Sequence, residues 1–295
     1  VVAGKPLSSF LSQISEDTVQ LQHQKNNLFI KTNKAKTILK TYLIDDFPLF
    51  PTIEQTFSIS VPSQDFQRGL ESVSQATSTS DIKPELASVC LKVFKNTLKL
   101  AATDSFRLAE YTIISSKLNQ EKSTTLLIPH NSIAELIRLL DTQKEGLLSL
   151  GSEKELLLIS NKNQIIFQNS SIRLISRLTE GLFPDYDQII PKNFKTEVII
   201  KQQELLKHIK LASVFVGRLY DISVSFKPKD KKIVFEVINP DIGEHISELE
   251  NSINGEETNA KFNWKYLFDG IIRISTEYVV LGFNGDQSPL MIKGK

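Results

Sequence analysis

Cysteine is nearly missing from this chain: Cys90 is the only one in 295 residues. A single thiol cannot close an intrachain disulfide, so burial must hold the fold, and a cytoplasmic setting is expected. Long apolar runs are missing too. No stretch approaches the ~18 residues that a membrane-spanning helix needs, so no membrane partner is expected. The opening Val1-Val2-Ala3-Gly4-Lys5 lacks a charged segment followed by an apolar one, which argues against a secretory signal. It also lacks an initiator methionine, as expected of a chain that begins mid-protein. Without secretion, the acceptor pattern Asn169-Ser170-Ser171 has no consequence. A net charge of +1 rules out a global basic field. It leaves room for a local basic lining, because affinity for nucleic acid depends on where Lys and Arg sit.

The chemistry of catalysis is equally sparse. His23, His130, His208 and His245 are scattered, with no metal-ligand spacing, and no glycine-rich phosphate loop is present. Cys90 lies in the strand-like apolar run Ala87–Val93 and reads as a buried thiol, not a nucleophile. Asp104 and Asp185 can be imagined as paired carboxylates, but nothing in the sequence joins them. Asp104 reads instead as the residue that shapes the turn before Arg107. No enzymatic role, metal or cofactor is expected.

What is present is a repeat. Asn26–Pro48 reads NNLFIKTNKAKTILKTYLIDDFP, and Asn163–Pro184 reads NQIIFQNSSIRLISRLTEGLFP. Each copy holds two apolar-rich strands around a polar turn, then a loop ending in Phe-Pro. The second strand alternates in both copies, Thr37, Leu39 and Thr41 against Ile38 and Lys40, and Ile172, Leu174 and Ser176 against Arg173, Ile175 and Arg177. Period two marks a strand with one buried face.

Helices precede both copies, with Leu7, Phe10, Leu11 and Ile14 at helical spacing, then Ile133, Leu136, Ile137 and Leu140. Asn131 or Ser132 is expected to cap the second, with Glu135 completing a capping box. A further pair of strand-then-helix segments repeats. Phe57–Val61 leads to Phe66, Leu70 and Val73, and Glu197–Ile200 leads to Leu205, Leu206, Ile209 and Ala212.

The offset is on the order of 135 residues, one domain length. The pattern predicts an α+β fold of tandem copies of one domain, two helices on antiparallel sheets. Turns are expected at Lys227–Lys231, Asn254-Gly255 and Asn284-Gly285, with linkers near Pro51–Gln55 and Pro191–Lys195.

Two motifs stand out, Thr103-Asp104-Ser105-Phe106-Arg107-Leu108-Ala109 and Phe183-Pro184-Asp185-Tyr186. With Ser288-Pro289 and the strand-helix order throughout, they make the chain resemble the bacterial DNA polymerase III beta subunit family, the beta sliding clamps. The resemblance runs from the first residue to about Lys293. It implies DNA-clamp domains whose helices line the inner face of a ring around duplex DNA. Residues 1–53 would be the second half of a first domain, 54–191 a complete second domain and 192–295 a third. The family's final strand and apolar tail would be missing, leaving the cleft incomplete.

The resemblance further implies a processivity factor without chemistry of its own. Its partners would be duplex DNA without sequence preference, the DNA polymerase III alpha subunit, the clamp loader, other proteins bearing clamp-binding motifs, and a second copy in a homodimer ring. Partner peptides with Leu and Phe anchors would enter an apolar cleft formed by Leu86, Thr103, Ser105, Phe106, Arg107, Leu108, Pro184, Ile189 and Pro289. By pattern alone, Leu86, Leu108 and Ile189 fit core positions equally well, and Arg107 beside Asp104 fits a local ion pair. Arg107 would donate to peptide carbonyls or pack its stem under an anchor. Lys5, Arg68, Arg138, Lys207 and Lys210 on the repeated helices, and Lys83 on a loop, would face DNA, although a solvated helix face reads the same way. Thr37 and Leu39 would meet Val214 and Phe215 of the neighbouring subunit, the latter two fitting a core position as well. The competing reading is a protein-binding scaffold of repeated α+β domains that does not act on DNA.

Overall fold

The structure, a computed structural model, describes residues 1–46, 54, 56–80, 82–118, 120–144 and 155–295. The Phe47-Pro48 end of the first repeat copy lies outside the described residues, as does the linker expected near Pro51–Gln55 apart from Glu54. The chain divides into two compact units, Val1–Ile53 and Glu54–Lys295.

In the first unit, α1 (Gly4–Leu11) precedes an antiparallel sheet of β1 (Gln20–Gln24), β2 (Asn27–Lys31) and β3 (Lys36–Lys40). The β2–β3 hairpin pairs Asn27 with Lys40 and Lys31 with Lys36. Among its described residues only Ile30 is fully buried, whereas Ile38, Tyr42, Leu43 and Ile44 are exposed. The helix stops at Leu11, so Ile14 of the expected apolar stripe falls beyond it.

The second unit begins with β4 (Phe57–Pro62), α2 (Ser63–Val73), β5 (Ser88–Lys95), β6 (Thr97–Thr103), β7 (Leu108–Ile114), β8 (Gln120–Pro129) and α3 (His130–Lys144). It continues with β9 (Glu155–Ser160), β10 (Gln164–Gln168) and β11 (Arg173–Arg177). These strands form two sheets, ordered β11-β10-β9-β4 and β7-β6-β5-β8. The β10–β11 hairpin pairs Gln164 with Arg177 and Gln168 with Arg173, the arrangement seen in β2–β3. The repeated sequence is thus a repeated hairpin.

The plan recurs in β12 (Thr196–Lys201), α4 (Gln202–Ser213), β13 (Asp221–Lys227), β14 (Lys232–Asn239), β15 (Gly243–Glu250), β16 (Ile253–Gly255), β17 (Thr258–Asn263), α5 (Trp264–Ile272), β18 (Tyr278–Phe283) and β19 (Met291–Gly294). Here the sheets are ordered β16-β12-β18-β19 and β15-β14-β13-β17.

The physical cause is visible residue by residue. Burial alternates strictly along β4 and β13, as period two requires. Phe66, Leu70 and Val73 of α2, and Leu205, Ile209 and Ala212 of α4, are buried at helical spacing. Each fully buried Phe or Leu contributes about 1.5–3 kcal/mol against exposure. Two large apolar cores, separate from each other, result among the described residues. One is built around Phe66, Leu100 and Phe167, the other around Phe226, Phe235 and Ile209. Gly69 lets α2 lie close on its sheet, because a Cβ there would stand 2.7 Å from Leu100 Cδ1. Gly282 does the same for the expected linker near Pro191–Lys195, where the Phe194 ring occupies the space a Cβ would need.

Two sequence expectations are corrected. Neither Asn131 nor Ser132 caps α3, since β8 runs straight into a helix that already starts at His130. The Ser132 hydroxyl is bonded to Ser176 Oγ at 2.7 Å, and the Glu135 carboxylate pairs with Arg138. Asn254-Gly255 is not a free turn but part of β16, paired with β12 and with Gly255 at φ +128°. The other two turns are present, closed by Lys231 N donating to Pro228 O and Ser288 N donating to Gly285 O.

Candidate functional site

The TD-x-x-RLA segment is a self-locked turn between β6 and β7. Asp104 Oδ1 accepts from the backbone N–H of both Phe106 and Arg107 at 2.9 Å, the turn-shaping role expected of it. Thr103 Oγ1 donates to Arg107 O at 2.7 Å and accepts from Ser105 N at 3.2 Å. Ser105 takes φ +77°, a left-handed conformation that a non-glycine residue holds only when its surroundings enforce it. The result projects Phe106 outward, 84% exposed, beside a 38% exposed Leu108.

Arg107 turns the other way. Its Nε donates to Asp104 Oδ2 at 3.1 Å and its Nη1 to Asp269 Oδ2 on α5 at 2.9 Å. Nη2 donates to the carbonyl of Gln75, and the guanidinium lies 4.3 Å from the Tyr266 ring centroid. Three of its five N–H groups (the guanidinium inventory) are therefore held within the protein.

The remaining cleft residues are reached through neighbouring contacts. Gln75 lies in the short turn after α2, and Ser78 N donates to Leu86 O at 2.8 Å. Leu86 is buried. Its loop faces the segment after β11, with Glu85 Cβ 3.6 Å from where a Gly181 Cβ would stand. Farther along that segment Pro184 is exposed, and Ile189 is 63% exposed. Thr103, Ser105, Phe106, Arg107, Leu108 and Leu86 thus form one linked set, and the segment that carries Pro184 and Ile189 approaches it at Gly181. Pro289 is not joined to it by these contacts and stands exposed between β18 and β19.

Segment 178–190 is strapped across the face of β5, β6 and β8. Thr179 N donates to Leu127 O at 2.8 Å, and its hydroxyl meets Ser88 Oγ at 2.7 Å. Tyr186 is buried in a small cluster with Cys90, Ala101 and Leu127, packed by Phe183 and Ile190. An open groove of about 790 Å³ runs beneath the strap.

Tyr186 OH donates to Glu110 Oε2 at 2.7 Å. Burial, and then the Glu110 carboxylate, push the phenol far above its usual pKa, so it remains a donor. Lys99 bridges Glu110 at 3.0 Å and Asp187 at 3.4 Å. Burial opposes its charge, but those carboxylates outweigh burial and raise the ammonium. Burial also pushes the Cys90 thiol up to about 11, in keeping with an inert thiol.

The basic candidates are all exposed. Arg68 pairs with Asp65 at 2.5 Å and Arg138 with Glu135 at 2.6 Å, each on its own helix. Lys210 lies 5.2 Å from the Phe268 ring centroid, and Lys207 and Lys210 share a shallow surface on α4 with Leu206 and Leu211. Lys5 is on α1, and Lys83 precedes the Leu86 loop. Thr37 and Leu39 are half-buried in β3. Val214 is 67% exposed, while Phe215 is half-buried and stacked on His245.

Asp269, Tyr266, Gln75 and Glu110 were not singled out by sequence. Tyr266 and Asp269 lie three residues apart, hence on one helix face, which is the only local signal they carry.

Tandem α+β domains, each with two helices over antiparallel sheets, define the DNA-clamp class. The family models agree. The DNA polymerase III beta subunit central domain matches residues 60–185, and its C-terminal domain matches residues 187–295. The chain belongs to the DNA polymerase III beta subunit family, and its function is that of a bacterial sliding clamp. It is 29% identical over 299 residues to the beta sliding clamp of Bacillus subtilis, covering 99% of this chain and 76% of that one. It is 24% identical to that of Synechococcus elongatus, covering 98% and 76%. The solved Bacillus subtilis clamp superposes with a TM-score of 0.88 at 27% identity, over 99% of this chain and 75% of that chain. The Pseudomonas aeruginosa DNA polymerase III beta subunit shares the fold at a TM-score of 0.88 and 22% identity, over 100% and 78%.

Proposed function

We propose that this protein works in the cytoplasm by enclosure: it encircles duplex DNA without sequence preference and tethers the DNA polymerase III alpha subunit, the clamp loader and other motif-bearing partners. It performs no catalysis itself. Residues 54–191 and 192–295 are read as its second and third clamp domains, and 1–53 as part of the first. The observation that carries the reading is the junction of the two cores. There a rigid turn offers Phe106 and Leu108 outward while Arg107 ties that turn to α5. Apolar anchors framed by fixed polar groups are what an extended Leu- and Phe-bearing peptide requires. The cleft comprises Leu86, Thr103, Ser105, Phe106, Arg107, Leu108, Pro184 and Ile189, with Pro289 at its margin.

Lys5, Arg68, Lys83, Arg138, Lys207 and Lys210 supply weak phosphate contacts. Diffuse phosphate contact permits sliding, because it carries no sequence information. The ring closes as a homodimer, with Thr37 and Leu39 on one copy and Val214 and Phe215 on the other. Two sheet edges support this pairing. β3 exposes Lys36, Ile38 and Lys40, and β15 exposes Glu244, Ile246, Glu248 and Glu250. Both are edge strands, with unpaired backbone groups and opposite charge.

The experiment is retention on closed-circular against linear DNA after loading. Retention on circles with loss from linear ends is expected. Equal retention on both overturns enclosure and favours the scaffold reading.

A further inference from the structure

The strap between the two domains is held by a polar network that the cleft reading does not itself use. Tyr186 stands where the two family domains meet. Its ring fills a site against Cys90, Ala101 and Leu127, and its hydroxyl reaches Glu110 on β7 at 2.7 Å. Lys99 on β6 donates to the same Glu110 Oε2 and also reaches Asp187. Exposed Pro184 and Ile189 flank this anchor, and Ile189 N closes a turn on Tyr186 O at 2.9 Å.

We propose that Tyr186 is a positioning residue of the partner cleft: its hydrogen bond to Glu110 sets where the strap holds Pro184 and Ile189 for an incoming peptide. The proposal rests on the cleft reading above and deepens it. The ring provides burial and the hydroxyl provides register. A phenyl ring fills the same volume, and Glu110 keeps Lys99 as its partner, so removing the hydroxyl leaves no buried orphan. What is lost is the fixed position of the strap relative to β7. Loosely held contact groups lose affinity because binding must then order them.

The test measures binding of a fluorescein-labelled extended peptide with Leu and Phe anchors by anisotropy, with thermal unfolding recorded for each variant. Tyr186→Phe is expected to raise Kd about fivefold or more while the unfolding midpoint hardly moves. Glu110→Gln, which keeps an acceptor for the phenol, should bind within about twofold of the parent protein. Glu110→Ala should match Tyr186→Phe, and the double variant should be no weaker than either single one.

If Tyr186→Phe binds like the parent, or Glu110→Gln is as weak as Glu110→Ala, the positioning role is overturned and the cleft survives. Failure of the parent protein to bind the peptide at all overturns the cleft reading, and this role with it. Glu110→Ala and Glu110→Gln decide the matter even if Tyr186→Phe does not fold.

Discussion

Arg107 Nη1 donates to Asp269 Oδ2 at 2.9 Å across 162 residues of sequence, joining the β6–β7 turn to α5. Asp104, Gln75 O and the Tyr266 ring complete the guanidinium's surroundings. Both partners are partly exposed, at 22% and 34% by side chain, so solvent screening reduces what the pair contributes. Asp269→Asn should cost about 1 kcal/mol in denaturant unfolding. Arg107→Lys should not preserve the contact, because one ammonium cannot serve three divergent acceptors and a ring face. Equal unfolding of Arg107→Lys and the parent protein would show that the bridge does not matter to stability.

Phe106 and Leu86 separate binding from folding. Phe106 is 84% exposed and Leu86 only 7% exposed. Phe106→Ala should change stability by less than about 0.5 kcal/mol. It should still weaken the anchor peptide by roughly 2 kcal/mol, about thirtyfold. Leu86→Ala should instead lower stability by about 2–3 kcal/mol through the cavity it leaves. Peptide titration and denaturant melts of the two variants check the contrast. Unchanged peptide affinity in Phe106→Ala would remove that side chain from the cleft.

These contrasts also mark what sequence could and could not convey. Period two in β11 and helical spacing in α2 and α4 are local, so the repeat and its strand-helix order were readable from neighbouring residues. No local period carried the exposure of Phe106, which only the resemblance implied by putting it in the cleft wall. It faces outward because Asp104 and Ser105 fix the turn. The α3 cap misled for a similar reason. The Ser-x-x-Glu pattern was there, but Ser132 was committed to Ser176 and Glu135 to Arg138. The Arg107–Asp269 and Tyr186–Glu110 contacts join residues 162 and 76 positions apart, a separation at which no periodicity survives.

Charge reversal tests the subunit edge. Glu244→Lys with Glu248→Lys would place like charges opposite Lys36 and Lys40 of a second copy. Self-association measured by sedimentation should weaken at least about tenfold at low salt, with less effect as salt rises. Adding Lys36→Glu and Lys40→Glu should restore it. Lys232 already pairs with Glu248 at 2.5 Å, so Glu244→Lys alone is the cleaner single change. Association indifferent to all four charges would place the interface elsewhere.

Acid should loosen the core around Phe235 through His208. Its Nδ1 meets Ser247 Oγ at 2.9 Å, the same hydroxyl that His245 Nε2 meets at 3.2 Å, and its ring stacks on Phe235. Burial lowers its pKa below the usual 6.5, with Lys207 and His245 adding to the effect and Glu204 opposing it. The unfolded chain therefore takes up a proton at a pH where the folded one does not. Stability from this group is whole above about pH 6.5 and falls as pH drops from there through the lower folded value. Denaturant midpoints at pH 7.5 and 5.5 should show the loss, and His208→Gln should reduce the difference between them. An undiminished difference in His208→Gln would assign the acid sensitivity to other groups.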